Sequence, residues 1–363
     1  MRLMIDARTL GSRPSGIGIY THSYIQELRK NPQIELALLS DVCESDELTA
    51  LRQQGVQVVL YGRSVMKSAA VFGYFRFVQK ELLRWKPDIF WEPNNLIPVH
   101  LKNPGGKIIV TVHDLFPITT PEYFSMLYRM YFRYGIRKTL HHVDGVLYDS
   151  RETEQEADRR FPFARKIKSI VAYVIVEKRA ELPITDKGYF LYVGNLERRK
   201  GTDLLLKAYR QYRAGGGEQM LYLAGKVRDE EVQNLMEEVQ KDSHVKYLGY
   251  VSDQEKDILY ANCSCLVFPS KAEGFGIPPL EIMSYDKPVI ASDLAIFREI
   301  LGDCVNYFSL VGTEEKQAER YLCDHMRKFS LPDTNSYREA EQKYTGETLG
   351  RALMKFLEAV QQG

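Results

Sequence analysis

Short apolar runs alternate with longer stretches of helical periodicity along the whole chain. In the first half, runs typical of buried strands lie at 3–5, 34–39, 56–60, 89–91, 108–112 and 145–148. In the second half, the same kind of run occurs at 189–193, 220–224, 245–248, 265–268, 288–291 and 305–308. This alternation predicts two consecutive α/β domains, each built on a doubly wound parallel sheet.

A charged segment that contains Pro183 interrupts the pattern between about residues 176 and 187. We place the linker there, because the segment carries neither strand nor helix periodicity. The predicted domains are therefore 1–176 and 177–346, followed by a final helix at 347–363. That helix could pack on either domain, including back on the first.

Composition and charge describe a globular protein without a strongly charged partner surface. The chain has 363 residues, 44% apolar and 27% charged, with a net charge of +1. Residues 1–170 hold 24 basic against 18 acidic side chains. That excess is compatible with an anionic partner and equally with a solvated surface, and we predict no nucleic-acid partner.

Cysteine usage and the N-terminus indicate the compartment. The five cysteines are odd in number and lack paired zinc spacing, so we predict neither a disulfide framework nor a structural metal. No stretch reaches the roughly eighteen apolar residues that a membrane span needs, and the N-terminus lacks a signal-peptide pattern. We expect a cytoplasmic protein, either free in the cytoplasm or peripheral to the inner face of the membrane.

The segment KAEGFGIPPLE at 271–281 is the most informative motif. It follows an apolar strand, turns on Gly274 and Gly276, and opens a helix, with Glu273 and Glu281 bracketing the turn. We expect Glu281 in the first helical turn. Backbone N–H groups at a helix start hold phosphates, and carboxylates accept from sugar hydroxyls, so the motif suits an anionic sugar ligand. An ordinary strand-to-helix turn is the alternative.

Two further polar groups follow predicted strands of the first half. RPSGIGIYTHSYIQEL provides Gly16 and Gly18 before a helix expected from about Ile19, although glycine turns are common in this fold. TVHDLFP places His113 where the fifth strand ends. Its imidazole could donate to a substrate hydroxyl or phosphate, or equally to a loop carbonyl as a structural donor.

A cationic group follows the first strand of the second half. GNLERRKGTD presents Arg198, Arg199 and Lys200 just before a helix expected near residue 202. Such cations would stabilise a diphosphate leaving group, on which negative charge develops. The chain contains no Asp-x-Asp metal motif. We therefore predict that cations and helix ends, rather than a metal or another cofactor, neutralise the diphosphate.

With these motifs in view, the sequence resembles retaining glycosyltransferases of family 4. The resemblance is sharpest over YFLYVGNLERRKGTDLLLKAY, LYLAG and VKYLGYVSDQEKDILYANCSCLVFPSKAEGFGIPPLEIMSYDKPVIASDLAIFREI, with support from SGIGIYTHSYIQEL and TVHDLFP. It implies the GT-B fold, in which two Rossmann-like domains face a cleft. The first would be the acceptor side and the second would bind the nucleotide sugar.

The resemblance also implies roles for the glutamates and cations. Glu273 would lie beside the donor sugar, and Glu281 would accept from the nucleotide ribose. Lys200 with Arg199 would hold the diphosphate, and His113 would face the transferred hexose. Of these, His113, Glu273 and Lys200 would form the catalytic group.

Backbone groups and the base pocket complete the implied donor site. Gly16 would allow the N-terminal loop to approach the phosphates. The turn of Gly274, Phe275 and Gly276 would offer backbone N–H groups. Tyr250 and Val251 fall where such proteins contact the base.

The implied activity is transfer of a hexose from a nucleoside-diphosphate sugar, of the GDP-mannose or UDP-glucose type, with retention and without a metal. The acceptor would be a hydroxyl of a growing glycan or a lipid-linked saccharide. Two departures stand out: Asn195 replaces the arginine that many members carry, and the linker lacks the expected Asn-Gly turn. A subgroup without that arginine reads RK, as residues 199–200 do here.

Two other functions are weighed against this one. An NAD-dependent oxidoreductase would use Gly16-x-Gly18 after a strand and Asp41 at the end of the next, but Thr21 stands where the third glycine is required. A catalytically inactive transferase-like scaffold is the second alternative, although His113 and the glutamate pair are all present.

Two segments interleave aromatic side chains with Arg and Lys, at 63–86 and 125–142. Interfacial helices have this pattern, so peripheral membrane contact is one interpretation. A helix packed on the core with a solvated basic face is the other.

Overall fold

The computed structural model describes residues 1–12, 16–65, 71–98, 100–177, 179–310 and 312–363. Contacts divide the chain into two compact units. Unit 1 comprises Met1–Ile175 and Tyr344–Gly363, and unit 2 comprises Val176–Lys343. Unit 1 is thus discontinuous in sequence, and the two units are described separately.

Unit 1 is built on a seven-stranded parallel sheet with the order β3-β2-β1-β4-β5-β6-β7. Its strands are β1 Arg2–Asp6, β2 Glu35–Ser40, β3 Gln57–Leu60, β4 Ile89–Glu92, β5 Lys107–Val112, β6 Gly145–Tyr148 and β7 Lys168–Val171. The six predicted strands are confirmed, each end within one residue. The seventh was not predicted, because β7 is a short edge strand whose residues are exposed or half-buried.

Helices connect these strands. They are α1 Gly16–Leu28, α2 Asp46–Gln53, α3 Val71–Trp85, α4 Phe116–Thr119, α5 Met126–His142 and α6 Arg151–Arg160. Serine hydroxyls cap several: Ser125 accepts from the backbone of the first turn of α5, and Ser150 does so for α6. Helix α1 begins three residues before the expected start, and residues 13–15 of that motif lie outside the described part of the chain.

Unit 2 contains a six-stranded parallel sheet with the order β10-β9-β8-β11-β12-β13. Its strands are β8 Tyr189–Val193, β9 Met220–Ala224, β10 Val245–Gly249, β11 Cys265–Phe268, β12 Val289–Ser292 and β13 Asn306–Phe308. Its helices are α7 Thr202–Ala214, α8 Glu230–Val239, α9 Asp253–Asn262, α10 Ile277–Met283, α11 Ala295–Leu301, α12 Glu315–Arg327 and α13 Thr334–Lys343. All six predicted strands are confirmed.

In each sheet, the direction in which successive strands are added changes at one place. Chain order runs outward from β1 to β3 and restarts beside β1 with β4; in unit 2 it runs from β8 to β10 and restarts beside β8 with β11. In open parallel sheets, ligands bind beyond the carboxyl ends of the strands at such a switch point. The residues that follow β1, β4, β8 and β11 are therefore the first places to look for a site.

The final helix, α14 Gly346–Gln362, belongs to unit 1. It contacts α1 and β7, and the Lys168 ammonium donates to the Ala359 carbonyl at 2.5 Å. Leu353 and Leu357 are fully buried there. The apolar face of α14 thus completes the core of unit 1, on the side of the sheet that α1 also covers.

No helix within the described residues combines the length and the apolar composition needed to cross a bilayer.

Candidate functional site

Two loops meet at the switch point of unit 2. One follows β8 and contains the short 3-10 turn Arg198–Lys200, and the other follows β11. The backbone N–H groups of Lys271 and Ala272 donate to the Arg199 carbonyl at 2.9 and 3.2 Å. These hydrogen bonds fix the cationic turn against the loop that contains residues 273–276.

Gly201 makes this close approach possible. Its φ is +66°, and a Cβ built on it would lie 1.9 Å from the Pro269 carbonyl oxygen. Any side chain at this position would therefore both strain the backbone and push the two loops apart.

Lys200 and Glu273 form an ion pair between these loops. Both side chains are largely buried, and the Ser270 hydroxyl donates to the same carboxylate at 3.2 Å. The structure thus brings together two of the residues predicted to act on the donor. Because partial burial weakens solvent screening, each charge depends strongly on the other.

The three consecutive cations do not share one direction. Arg199 donates to Glu197 at 2.7 Å and to the Ala272 carbonyl at 3.1 Å, beside the Lys200–Glu273 pair. Arg198 instead pairs with two acidic residues, Asp229 and Glu231, at 3.0 and 3.2 Å on the exposed side of the turn. A three-cation cluster is therefore not formed, and only Arg199 and Lys200 lie where the predicted diphosphate contact requires them.

Glu281 lies deeper than the sequence suggested. Helix α10 begins at Ile277, directly after Gly276, so Glu281 is its fifth residue and not part of the first turn. The expected first-turn position was wrong. The glutamate side chain instead turns inward, where it is buried among side chains of α9 and of the segment that opens unit 2.

Three protein donors hold the Glu281 carboxylate. Lys256 lies 2.9 Å and Arg179 3.3 Å from Oε1, and the Tyr260 hydroxyl donates to Oε2 at 2.7 Å. A carboxylate offers about four acceptor directions. The three contacts leave one direction, on Oε2, without a hydrogen-bond donor among the described residues. Sequence reasoning did not single out these partners, because they come from distant segments.

The remaining predicted donor contacts lie along the same sheet edge. The Phe275 side chain is buried, and Gly276 has a φ of +95°, which lets the chain turn into α10. Tyr250 and Val251 follow β10; Tyr250 is 76% exposed, with the Lys226 ammonium 5.7 Å from its ring centroid. An exposed aromatic ring beside a cation is able to stack on a base. Its contact with a base stays a prediction.

His113 follows β5 in unit 1, as predicted, but both ring nitrogens face protein groups. Nε2 lies 2.9 Å from the Pro93 carbonyl, and Nδ1 lies 3.5 Å from the Asp149 carboxylate. The His113 backbone N–H donates to Asn95 at 2.7 Å. This geometry matches the alternative in which the His113 imidazole is a structural donor to a loop carbonyl. A direct role towards a hexose stays a prediction.

One shared proton explains the His113–Asp149 pair. A carbonyl only accepts, so Nε2 carries a hydrogen, and a second proton must lie between Nδ1 and the carboxylate to avoid facing lone pairs. Burial raises the pKa of Asp149 to about 7. The pKa of His113 is also raised, because hydrogen bonding and charge from Asp149 outweigh the effect of burial.

A second buried ion cluster marks the switch point of unit 1, and the sequence analysis missed it. Arg8 donates to Asp6 at 2.7 Å and to Glu92 at 3.2 Å, so it bridges the ends of β1 and β4. Burial raises the pKa of Glu92, and the Arg8 charge acts in the opposite direction. The available signal was a carboxylate at the end of each apolar run, in MIDAR and FWEPN.

Gly16, predicted to approach the phosphates, is exposed at the first position of α1. A Cβ built there would meet no atom within 4 Å. Among the described residues, no group of three or more His, Cys, Asp or Glu side chains is arranged to hold a metal ion.

Family comparisons divide the chain as the two units do. Residues 14–171 match the profile described as Glycosyltransferase Family 4. Residues 175–329 match the profile described as Glycosyl transferases group 1.

Two curated relatives extend over most of the chain. O-antigen chain mannosyltransferase B of Escherichia coli is 30% identical over 337 residues, covering 84% of this chain and 85% of that protein. O-antigen chain mannosyltransferase RfbU of Salmonella typhimurium is 24% identical over 308 residues, covering 82% and 84%.

Solved structures share the fold from end to end. Sucrose-phosphate synthase from Thermosynechococcus elongatus has a TM-score of 0.74 at 14% identity, covering 99% of this chain and 98% of that chain. Anabaena HepE, solved in complex with UDP and glucose, has a TM-score of 0.73 at 17% identity, covering 99% of both chains. Two parallel-sheet units and these neighbours confirm the predicted GT-B fold class.

Proposed function

Because the chain belongs to glycosyltransferase family 4, we propose that it transfers a mannosyl residue from a nucleoside-diphosphate donor of the GDP-mannose type to a hydroxyl of a growing glycan. Mannose is supported by the two O-antigen chain mannosyltransferases among its relatives. UDP-glucose is the alternative donor, since HepE has been solved with UDP-glucose. Membership of this family argues against an NAD-dependent oxidoreductase. A catalytically inactive scaffold with the same fold is still an alternative.

The observation that carries this proposal is the pairing of Lys200 with Glu273 beside Arg199 at the switch point of unit 2. The two cations suit the diphosphate of the donor, and the carboxylate suits its sugar. The cations would stabilise the departing diphosphate, and the carboxylate would accept from sugar hydroxyls. Glu281, one helical turn beyond the loop, keeps one acceptor direction for a ribose hydroxyl.

The reaction is proposed to retain the anomeric configuration and to proceed without a metal. Retention follows from the family resemblance. Metal independence is supported by the two cations at the site, which supply the positive charge that a divalent ion provides elsewhere. Positioning and electrostatic stabilisation would then account for most of the rate enhancement.

The direct test is product analysis with a panel of nucleotide sugars and saccharide acceptors, with and without chelator. We expect hexose addition with GDP-mannose, unchanged by chelator, and NMR should show the donor's anomeric configuration in the product. Transfer only from UDP-glucose would show that UDP-glucose, and not GDP-mannose, is the donor. Release of no nucleoside diphosphate from any donor by the folded protein would favour the scaffold instead.

We further propose that helix α5 holds the protein against an anionic lipid surface, where a lipid-linked acceptor would be met. The first half of α5 exposes a run of large apolar side chains, Met126, Leu127, Tyr128, Met130, Tyr131 and Tyr134. The helix also carries four cations, Arg129, Arg133, Arg137 and Lys138, and no Asp or Glu. Apolar side chains with cations and no carboxylates match the composition of a surface-bound helix.

Helix α5 is anchored in unit 1 by its other face. Phe132, Ile136 and Leu140 are buried in the core, so one face of α5 packs as a core helix does, and the membrane contact proposed here concerns its other face. In the other predicted segment, residues 66–70 lie outside the described part of the chain. Helix α3 buries Tyr74, Val78 and Leu82 and exposes two large apolar side chains, Phe72 and Leu83. Because α5 exposes six, α5 is the favoured contact.

Vesicle co-sedimentation tests this contact. We expect binding to vesicles with anionic lipid at low salt and weaker binding at high salt, because exposed charges are screened. Leu127→Gln with Met130→Gln should abolish binding, whereas Leu331→Gln, which removes an equally exposed apolar side chain from unit 2, should not. Equal binding by both variants would rule out α5.

A further inference from the structure

The segment that opens unit 2 lies against the candidate donor site without forming a helix or strand. Between residues 176 and 188, the backbone N–H of Thr185 donates to Ala261 at 3.0 Å, and the Tyr285 hydroxyl donates to the Ala180 carbonyl at 3.0 Å. The segment is thus held on α9 and on the residues just after α10. Among the described residues of this segment, Arg179 is the one charged side chain that is not exposed.

Arg179 reaches two carboxylates at once. Its Nε donates to Asp257 at 2.7 Å, and its Nη1 lies 3.3 Å from Glu281. The Arg179 side chain is 11% exposed. Its Nη2 is buried and finds no hydrogen-bond partner among the described residues.

We propose that Arg179 is a positioning residue for Glu281, the carboxylate assigned to the nucleotide ribose; this inference rests on the proposed function. Arg179 and Lys256 occupy Oε1, and Tyr260 occupies one direction of Oε2. Two donors on α9 and one from the segment that opens unit 2 fix the plane of the carboxylate. The last acceptor direction of Oε2 is thereby fixed for a ribose hydroxyl.

The charges around Glu281 explain why an arginine is needed. Asp257 and Glu281 are buried acidic side chains, and Arg179 is the group that contacts both. Without it, two neighbouring carboxylates would face each other with Lys256 as the nearby cation. Glu281 would then rotate away or take up a proton, and in either state it would lose the fixed charged acceptor. Lysine lacks the fork that reaches two carboxylates at once.

The experiment compares nucleotides with and without ribose hydroxyls. Calorimetry measures binding of GDP, UDP and their 2′,3′-dideoxy forms to the whole protein. For the better base, we expect the wild type to prefer the ribonucleotide at least tenfold. Arg179→Gln should bring this preference close to one while dideoxynucleotide affinity stays within threefold.

Three further variants separate positioning from general damage. Arg179→Lys should retain part of the preference, and it serves as the test variant if Arg179→Gln does not fold. Arg179→Gln combined with Glu281→Gln should be no worse than Glu281→Gln alone, because both act through one carboxylate. Arg213→Gln breaks another half-buried Arg–Asp pair of unit 2, with Asp242, and should leave the preference unchanged.

The outcomes distinguish this inference from the proposed function. A wild type that binds no nucleoside diphosphate would overturn the proposed function itself. A wild type with the ribose preference, retained in full by both Arg179 variants, would overturn the positioning role alone.

Discussion

Lys200 and Glu273 are ion-paired although 73 residues separate them. The pair forms because β8 and β11 are neighbours in the sheet, so the loops that follow them emerge side by side. The Glu273 carboxylate neutralises the lysine charge. Under the proposed function, a diphosphate would compete with Glu273 for Lys200, and the released carboxylate would then accept from the incoming sugar.

Replacing Lys200 by Ala should lower turnover with every donor by roughly 100-fold, about 2.7 kcal/mol of transition-state stabilisation. It should also destabilise unit 2, because Glu273 is left largely buried and unpaired. Steady-state kinetics and denaturant unfolding measure the two effects.

Glu273→Gln supplies the control for Lys200. If the two side chains are ion-paired, the double variant Lys200→Ala with Glu273→Gln should regain part of the stability that Lys200→Ala alone loses, because no carboxylate then remains unpaired. Its turnover should stay low. Additive losses of stability would show that the two side chains are not coupled.

Glu281→Gln should weaken nucleoside-diphosphate binding by about 1.5 to 3 kcal/mol, the range for a hydrogen bond to a charged group. Titration calorimetry with the better nucleotide gives this number. Glu238 is an exposed glutamate paired with Arg210 in the same unit, so Glu238→Gln should bind like the wild type. Equal affinity of all three proteins would remove Glu281 from the site.

Stability should fall as the pH rises above about 6.5, the ordinary pKa of histidine. The folded pair of His113 and Asp149 has raised pKa values and keeps its shared proton, whereas the unfolded chain has released it. The native state then binds more protons, so the free energy of unfolding declines with pH, by at most about 1.4 kcal/mol per pH unit for one proton.

Urea unfolding between pH 6 and 9 checks this direction. Asp149→Asn should flatten the decline, since burial lowers the pKa of His113 and only the smaller effect of Asp114 and the hydrogen bond to Pro93 then oppose it. A steeper decline in the variant, or identical curves for the two proteins, would contradict the shared proton.

Gly201→Ala should cost at least about 2 kcal/mol of stability, because a left-handed alanine is strained and its Cβ would overlap the Pro269 carbonyl. Gly216 provides a matched control: its φ is +84°, and a Cβ there meets no atom within 4 Å. Gly216→Ala should therefore show only the conformational cost, about 1 to 2 kcal/mol. Thermal unfolding compares the two, and equal losses would argue against the close approach.

The strands were predictable because a parallel strand is buried on both faces and leaves an unbroken apolar run. β7 escaped detection since Lys168 and Ser169 are exposed and only two residues of the strand are apolar. Helix α10 begins directly after Gly276. The sequence predicted a later start, with Glu281 in the first turn behind the two prolines. Local patterns thus locate strands well and helix ends less well.

The site was predictable in its positions and not in its pairings. Polar residues that follow strands of one parallel sheet must share an edge, which is enough to place Lys200 and Glu273 together. No local pattern links Arg179 to Glu281, or Arg8 to Glu92, because each contact depends on how distant segments pack. Arg198 illustrates the same limit, since its direction is set by Asp229 and Glu231 at the start of α8.

The attachment of α14 to unit 1 has a consequence for synthesis of the chain. Residues 344–363 leave the ribosome after all of Val176–Lys343, yet they supply part of the first unit's interior. Unit 2 is contiguous and has its whole sequence available earlier. Residues 1–175 must therefore wait, with the surface between α1 and β7 uncovered, until residues 344–363 have been made.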